Sequence, residues 1–202
     1  MKTESAIRVL FITGSAAAGG GPRHLLDWLE ALHKYSGSEI ENFVSAPSRG
    51  LFGAPLRAIA SESVAIPEKA VSLMRLIAVL NFARRNKIDL VHLFGRAGGI
   101  YGRFLGLFGF AVLHTPQGLI STRFYQFVYD ILEFVLRPLT KKYVFGSQTE
   151  SDEAFTRFGV RNGSIVPPIV SPPGGIQMDA PHDRCGEALA SGRPLIGGSS
   201  LR

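Results

Sequence analysis

Four places in this sequence put chemically capable residues where an apolar run ends. Gly14, then Gly19, Gly20 and Gly21, follow IRVLFIT. Gly95 and Arg96 follow DLVHLF. His114 closes FAVLH and leads into TPQG, with Gln117. Gly146 and Ser147 follow KKYV and Phe145. A glycine-rich turn opening a helix presents free N–H groups and the positive end of the helix dipole to an anion. The same glycines would also serve a plain tight turn, since they accept backbone angles and close approaches that other residues do not. His114 has the chemistry to hydrogen-bond a sugar hydroxyl or orient a phosphate, or simply to cap its strand. Arg96 has the fork geometry to pair with an anionic oxygen, or is an ordinary arginine at a helix start.

Several familiar chemistries are excluded by spacing. The glycine loop is neither GxGxxG nor a Walker A loop, because Gly14 is followed by Ser15 and three alanines and no Lys-Ser/Thr pair comes after. There is no GxSxG elbow, and Cys185 lies in a Gly/Pro-rich tail where an inert thiol is the plain reading. No HxxxE or HxH cluster suggests a metal, and no cofactor is expected.

The elements that must carry these residues follow from periodicity. Ile7 to Thr13 reads as a strand buried on both faces. Leu25, Trp28, Leu29 and Leu32 then keep helical spacing, with Pro22 in the first turn. A strand is expected at 40–46, a turn-rich segment at SRGLFGAP, and a short apolar strand at 63–66. A second helix is expected from near Pro67, with Val71, Met74, Ile77 and Ala78 at helical spacing. Strands follow at 89–94, 110–114, 142–146 and 164–166, with helices at 97–108, 123–136 and 148–158. About seven such alternations predict an α/β fold: a doubly wound, mostly parallel sheet of about seven strands. In such a sheet ligands bind beyond the carboxyl ends of the strands, where the four places above lie.

Composition bounds the rest. Apolar residues make up 46% of 202 residues, enough for a sizeable core, and the net charge is +6. Much of the positive charge is explained by cations near helix ends, such as Arg84, Arg85 and Lys87. The charge suits anionic substrates or an anionic membrane face; no zinc-ligand spacing or RNA-binding signature points to nucleic acid. One cysteine fits a reducing compartment. The start MKTESAIRVLFITG lacks a secretion signal, and the longest uncharged apolar run (104–113) is too short to span a bilayer. A cytoplasmic location is expected, peripheral to the inner membrane face at most.

Taken in order, "GGGPRHLLDWLEAL", "IDLVHLFGRAGGIYGR", "VLHTPQG" and "KKYVFGSQTESDEAF" resemble the N-terminal domain of glycosyltransferase family 4, retaining enzymes with two Rossmann-like domains in the GT-B arrangement. The match runs over about residues 6–166. The resemblance implies an acceptor-binding domain facing a nucleotide-sugar domain across a cleft. It places Gly19, Gly20 and Gly21 on the cleft wall, His114 near the transferred sugar as the catalytic candidate, and Arg96, Gln117 and Ser147 beside bound substrate. It implies a nucleotide-sugar donor, a glycan or lipid-linked acceptor, and no tightly bound metal.

The sequence departs from the family pattern at Phe94 and Gln117, where histidines are usual, and at VPPIVSPPGGIQMD, which replaces VPNGID. Expected domains are 1–168, a Rossmann-like half; 169–192, a Pro/Gly-rich linker; and 193–202, resembling the first strand of a donor domain. The acidic E-x7-E pair of the family is not reached, so little transfer is expected without a donor domain, supplied in cis or by a complementary protein. The alternatives are a non-catalytic sugar- or nucleotide-binding module and one subunit of a split transferase. The helix 123–136, with Phe124, Tyr125, Phe127, Tyr129 and Phe134 and then Lys141 and Lys142, is the expected site of peripheral membrane contact unless its aromatics form core.

Overall fold

A computed structural model describes residues 6–68, 71–117 and 123–168, with backbone alone for Ala97 and 123–129. These belong to the first of two compact units, 1–169 and 170–202. The expected linker and terminal piece, with Cys185, lie outside the described residues.

Seven strands form one sheet: β1 (Ile7–Thr13), β2 (Ile40–Pro47), β3 (Glu62–Ile66), β4 (Leu90–Phe94), β5 (Ala111–Thr115), β6 (Lys142–Phe145) and β7 (Gly163–Ile165). Their order is β3-β2-β1-β4-β5-β6-β7, and every pair is parallel. The helices are α1 (Gly20–Tyr35), α2 (Gly53–Ala58), α3 (Leu73–Arg85), α4 (Gly95–Gly106), α5 (Arg123–Leu136) and α6 (Gln148–Phe158). Strand order reverses between β1 and β4, which makes their carboxyl edge the topological switch point.

β1 shows why the strands read as unbroken apolar runs. Leu10 and Ile12 pack on one face with α3 and α4, while Val9 and Phe11 pack on the other with α1 and α2. A strand covered on both faces has no polar side to alternate with. Each fully buried leucine, such as Leu25 or Leu29, contributes about 1.5–3 kcal/mol.

Three expectations change. The SRGLFGAP segment contains a short helix, α2, in which Pro55 sits in the tolerant first turn. The second helix begins at Leu73 rather than near Pro67, because Glu68 and Ser72 are held otherwise. Glu68 bonds Ser15 Oγ (2.6 Å) and Ala16 N (3.0 Å), and extended Ser72 donates its N–H to the Tyr101 hydroxyl (3.0 Å). The face of α3 also differs. Leu76, Val79, Leu80, Phe82 and Ala83 are buried, whereas Val71, Met74 and Ile77 are exposed.

α4 lies flush on the sheet because its inner side is glycine. A Cβ on Gly98 would meet the Ile12 carbonyl at 2.6 Å, and one on Gly102 would overlap the Leu93 side chain. This close seat brings Arg103 down into the interior, where it is 2% exposed.

Candidate functional site

The carboxyl edge opens into a cavity of about 610 Å³ between the starts of α1 and α6. Gly20, Gly21 and His24 form the α1 wall, Thr115 and Gln117 the floor from β5, and Gly146, Ser147, Thr149, Glu150 and Glu153 the α6 wall, with Pro168 beside them. Gly20, Gly21, Gln117 and Ser147, expected from sequence, are thus brought together.

The two helix starts differ in chemistry. The N-cap of α1 is Gly19, which offers no side-chain acceptor, so the first amides are left for another partner. A Cβ at Gly19 or Gly20 would meet nothing within 4 Å, so this wall is open as well as uncapped. At α6 the cap is filled. Ser147 Oγ accepts from the Glu150 amide (3.2 Å), and the Glu150 carboxylate accepts from the Gly146 amide (2.8 Å). This reciprocal pairing is the S-x-x-E capping box, shifted by one residue on the return bond. Negative charge already sits at α6, so an anion is better received at α1 and hydroxyl groups at α6.

Gln117 joins the walls. Its backbone is left-handed (φ 55°), an uncommon state for a non-glycine residue, and it directs the side chain under α1. Its Nε2 donates to the Gly21 carbonyl (3.2 Å) and lies 3.3 Å from His24 Nδ1. A Cβ on Gly21 would come within 2.6 Å of its Oε1, so a larger residue there would push the Gln117 side chain aside. Beneath the floor, His92 Nε2 and Thr115 Oγ1 are 2.9 Å apart, fixing the Thr115 hydroxyl. Burial, with the nearby His114 and His24, pushes the His92 imidazole down to about 3, so it is neutral. Burial also lowers His24, which edges against Trp28 and Phe94.

His114 stands elsewhere. It is fully buried and is not among the described lining residues; Thr115, one residue on, faces the cavity instead. Arg103 of α4 contacts His114 Nδ1, Glu133 of α5 and the Tyr143 hydroxyl (3.2 Å), and its Nε donates to Thr140 Oγ1 (2.9 Å). Tyr143 donates to Glu133 (2.9 Å). Because Arg103 can only donate, Nδ1 accepts and the His114 proton sits on Nε2. Burial and then the Arg103 charge lower His114, keeping it neutral. Burial alone would raise the Glu133 carboxyl, but the neighbouring His114, the Arg103 charge and the Tyr143 hydrogen bond outweigh that and hold it at about 2. Arg96, half-buried in the first turn of α4, is likewise not among the described lining residues. Among the described residues no group of three or more His, Cys, Asp or Glu could hold a metal.

The sequence reading missed His24, Thr115, Thr149, Glu150 and Glu153. His24 was findable from its place one turn beyond Gly20 and Gly21. Glu150 was findable from the Ser147-x-x-Glu150 spacing.

No family profile matches the sequence, and no curated protein matches it. Solved structures do. HepE of Anabaena, in complex with UDP and glucose, aligns at a TM-score of 0.65 and 16% identity over 82% of this chain and 45% of its own. The fold is that of a GT-B half. A glycosyltransferase of Rickettsia africae aligns at 0.63 and 12% identity, over 95% of this chain and 51% of its own. A UDP-N-acetylglucosamine 2-epimerase (assigned as putative) of Listeria monocytogenes aligns at 0.55 and 13% identity, over 79% and 44%. The GT-B half therefore spans about half the length of these structures, and at such identities the likeness is one of fold. Its helices include none long and apolar enough to cross a membrane among the described residues.

Proposed function

We propose that the chain is the acceptor-side half of a retaining GT-B glycosyltransferase of family 4 type, which moves a sugar from a nucleotide-sugar donor to a glycan or lipid-linked acceptor. The observation that carries this reading is the cavity between the uncapped α1 start and the hydroxyl- and carboxylate-bearing α6 start, at the carboxyl edge of a GT-B half. The α1 amides of Gly20 and Gly21 would receive a phosphate oxygen of the donor. Thr115, Gln117, Ser147 and Thr149 would orient sugar or acceptor hydroxyls. The described lining includes two glutamates and no lysine or arginine, so a diphosphate would find little countercharge on this wall alone. A second wall, from a donor domain beyond the Pro/Gly-rich linker or on a complementary protein, would supply it and exclude water.

The test has two parts. NMR titration with UDP and UDP-sugars should shift Gly20, Gly21 and Gln117 amides. Transfer assays should show negligible turnover by the chain alone and turnover when a donor-domain protein is added. Robust turnover by the chain alone refutes the half-site reading. The burial of His114 away from the cavity favours a second reading, a non-catalytic sugar- or nucleotide-binding module. Ligand shifts without turnover, even with a donor-domain protein present, would select it.

A further inference from the structure

The connection from β1 to α1 has little of its own to pack. Residues 14–20 read Gly-Ser-Ala-Ala-Ala-Gly-Gly, so their shape has to come from backbone hydrogen bonds rather than from large side chains seated in a core. Ala18, Gly19 and Gly20 are exposed, and Gly19 gives α1 no side-chain cap. The α1 wall of the cavity therefore hangs on the residues just before it, and these are held from two other strand–helix connections. Ala16 is fully buried, and both of its backbone groups are engaged. Its carbonyl accepts from Phe52 N (2.9 Å), ahead of α2, and its N–H donates to Glu68 Oε2 (3.0 Å), ahead of α3. Gly50, left-handed at φ 103°, lies against the same peptide. A Cβ there would come within 2.4 Å of the Ala16 carbonyl oxygen.

Glu68 does more than close one bond. Its Oε1 accepts from the Ser15 hydroxyl (2.6 Å), and Ser15 Oγ in turn accepts from the Ala17 amide (3.3 Å). One carboxylate thus fixes three consecutive residues, reaching Ala16 from 52 positions along the chain. Hydrogen bonds to an ionised carboxylate are shorter and stronger than those between neutral groups. Phe52 and Gly50 grip the Ala16 peptide from the β2–α2 connection, and Glu68 grips it from the β3–α3 connection. Glu68 is not among the described residues lining the cavity, so it bears on the wall through the loop and not on a ligand directly.

We propose that Glu68 is a positioning residue for the cavity: it fixes Ser15, Ala16 and Ala17 so that the Gly20 and Gly21 amides keep one place and direction at the start of α1. Donors already ordered bind an anion better than donors that binding must first order. As a statement about ligand binding this rests on the transferase reading, in which those amides receive a donor phosphate. The experiment makes two measurements on the full chain, with Glu68→Ala, Glu68→Gln and Ser15→Ala variants and, as control, Glu30→Ala, which removes an exposed carboxylate of α1. The first is amide hydrogen exchange without ligand. Glu68→Ala should speed exchange about tenfold at Ala16, which loses its acceptor, and also at Arg23, whose N–H reaches back to the Gly19 carbonyl (3.4 Å). The second is UDP affinity by titration. Glu68→Ala should lose about fivefold, and Glu68→Gln, which keeps one acceptor oxygen, about twofold. Melting should stay within a few degrees of the parent, because Glu68 is exposed. Adding Ser15→Ala to Glu68→Ala should cost little more, since both remove the same contact. Glu30→Ala should behave as the parent does. Faster exchange confined to Ala16, or UDP affinity unchanged in Glu68→Ala, overturns the proposal. So does tighter UDP binding, which would make Glu68 a repelling charge instead of a support. A parent chain that binds no UDP sinks the transferase reading; exchange at Arg23 then decides by itself whether Glu68 holds the α1 start.

Discussion

Replacing Arg103 by methionine tests the buried network most directly. Arg103 and Glu133 are each 2% exposed, and Arg103 also holds His114, Tyr143 and Thr140. Methionine fills much of the same volume but leaves Glu133 with only Tyr143 at 2.9 Å and His114 Nδ1 at 3.7 Å. Removing one partner of a buried ion pair costs about 3–5 kcal/mol, a large share of the roughly 5–15 kcal/mol of a typical domain. Urea unfolding followed by circular dichroism should show that loss near neutral pH, and melting should fall by roughly 10 °C. Adding Glu133→Leu should recover most of it, since two apolar groups leave no charge unpaired.

The pH dependence has a definite sign. Glu133 is held at about 2, below its ordinary 4.5, so its contribution is complete above pH 4.5 and is lost as pH falls toward 2. That depression corresponds to about 3 kcal/mol. In Arg103→Met burial still lowers His114, but the Arg103 charge that adds to it is gone, so its pKa rises and protonation next to Glu133 becomes easier. A group whose folded pKa rises stabilises at low pH, so the deficit of the variant should shrink as pH falls below His114's ordinary 6.5. A loss under about 1 kcal/mol, or a double variant no more stable than the single, would refute the network as an anchor of α4 and α5.

The cavity makes two smaller predictions. Gly21→Ala should displace Gln117, whose Oε1 a Cβ would meet at 2.6 Å, and weaken UDP-sugar binding about tenfold. Its melting temperature should stay within a few degrees, because alanine's helix propensity offsets the two lost Gln117 bonds; unchanged binding by titration would remove Gln117 from the site. Ser147→Ala should lose about 1 kcal/mol in urea unfolding, and Ser147→Asp should keep it, because Oγ caps the Glu150 amide at 3.2 Å.

Legibility followed the range of the interaction. The glycine start of α1 was visible because its signal lies within a few residues. β1, β4 and β5 were visible because burial on both faces leaves unbroken apolar runs. α2 was hidden by its glycine and proline, which serve a first helical turn as readily as a loop. The Arg103–Glu133 pairing joins residues 30 apart on two helices, and no local pattern announces it. Arg103 even resembles the cations that close other helices.

Sequence alone determined that strands and helices alternate, that the sheet is doubly wound, and that the glycine triplet and Ser147 stand at strand ends. Those properties follow from period and capping, which neighbours along the chain decide. Tertiary structure decided which sides matter. α3 is apolar nearly all round, so only its seat against β3 and α4 shows that Leu76, Val79 and Leu80 turn inward while Met74 and Ile77 face out. At the end of β5, side chains alternate between faces, so Thr115 meets the cavity while His114 goes to the core with Arg103.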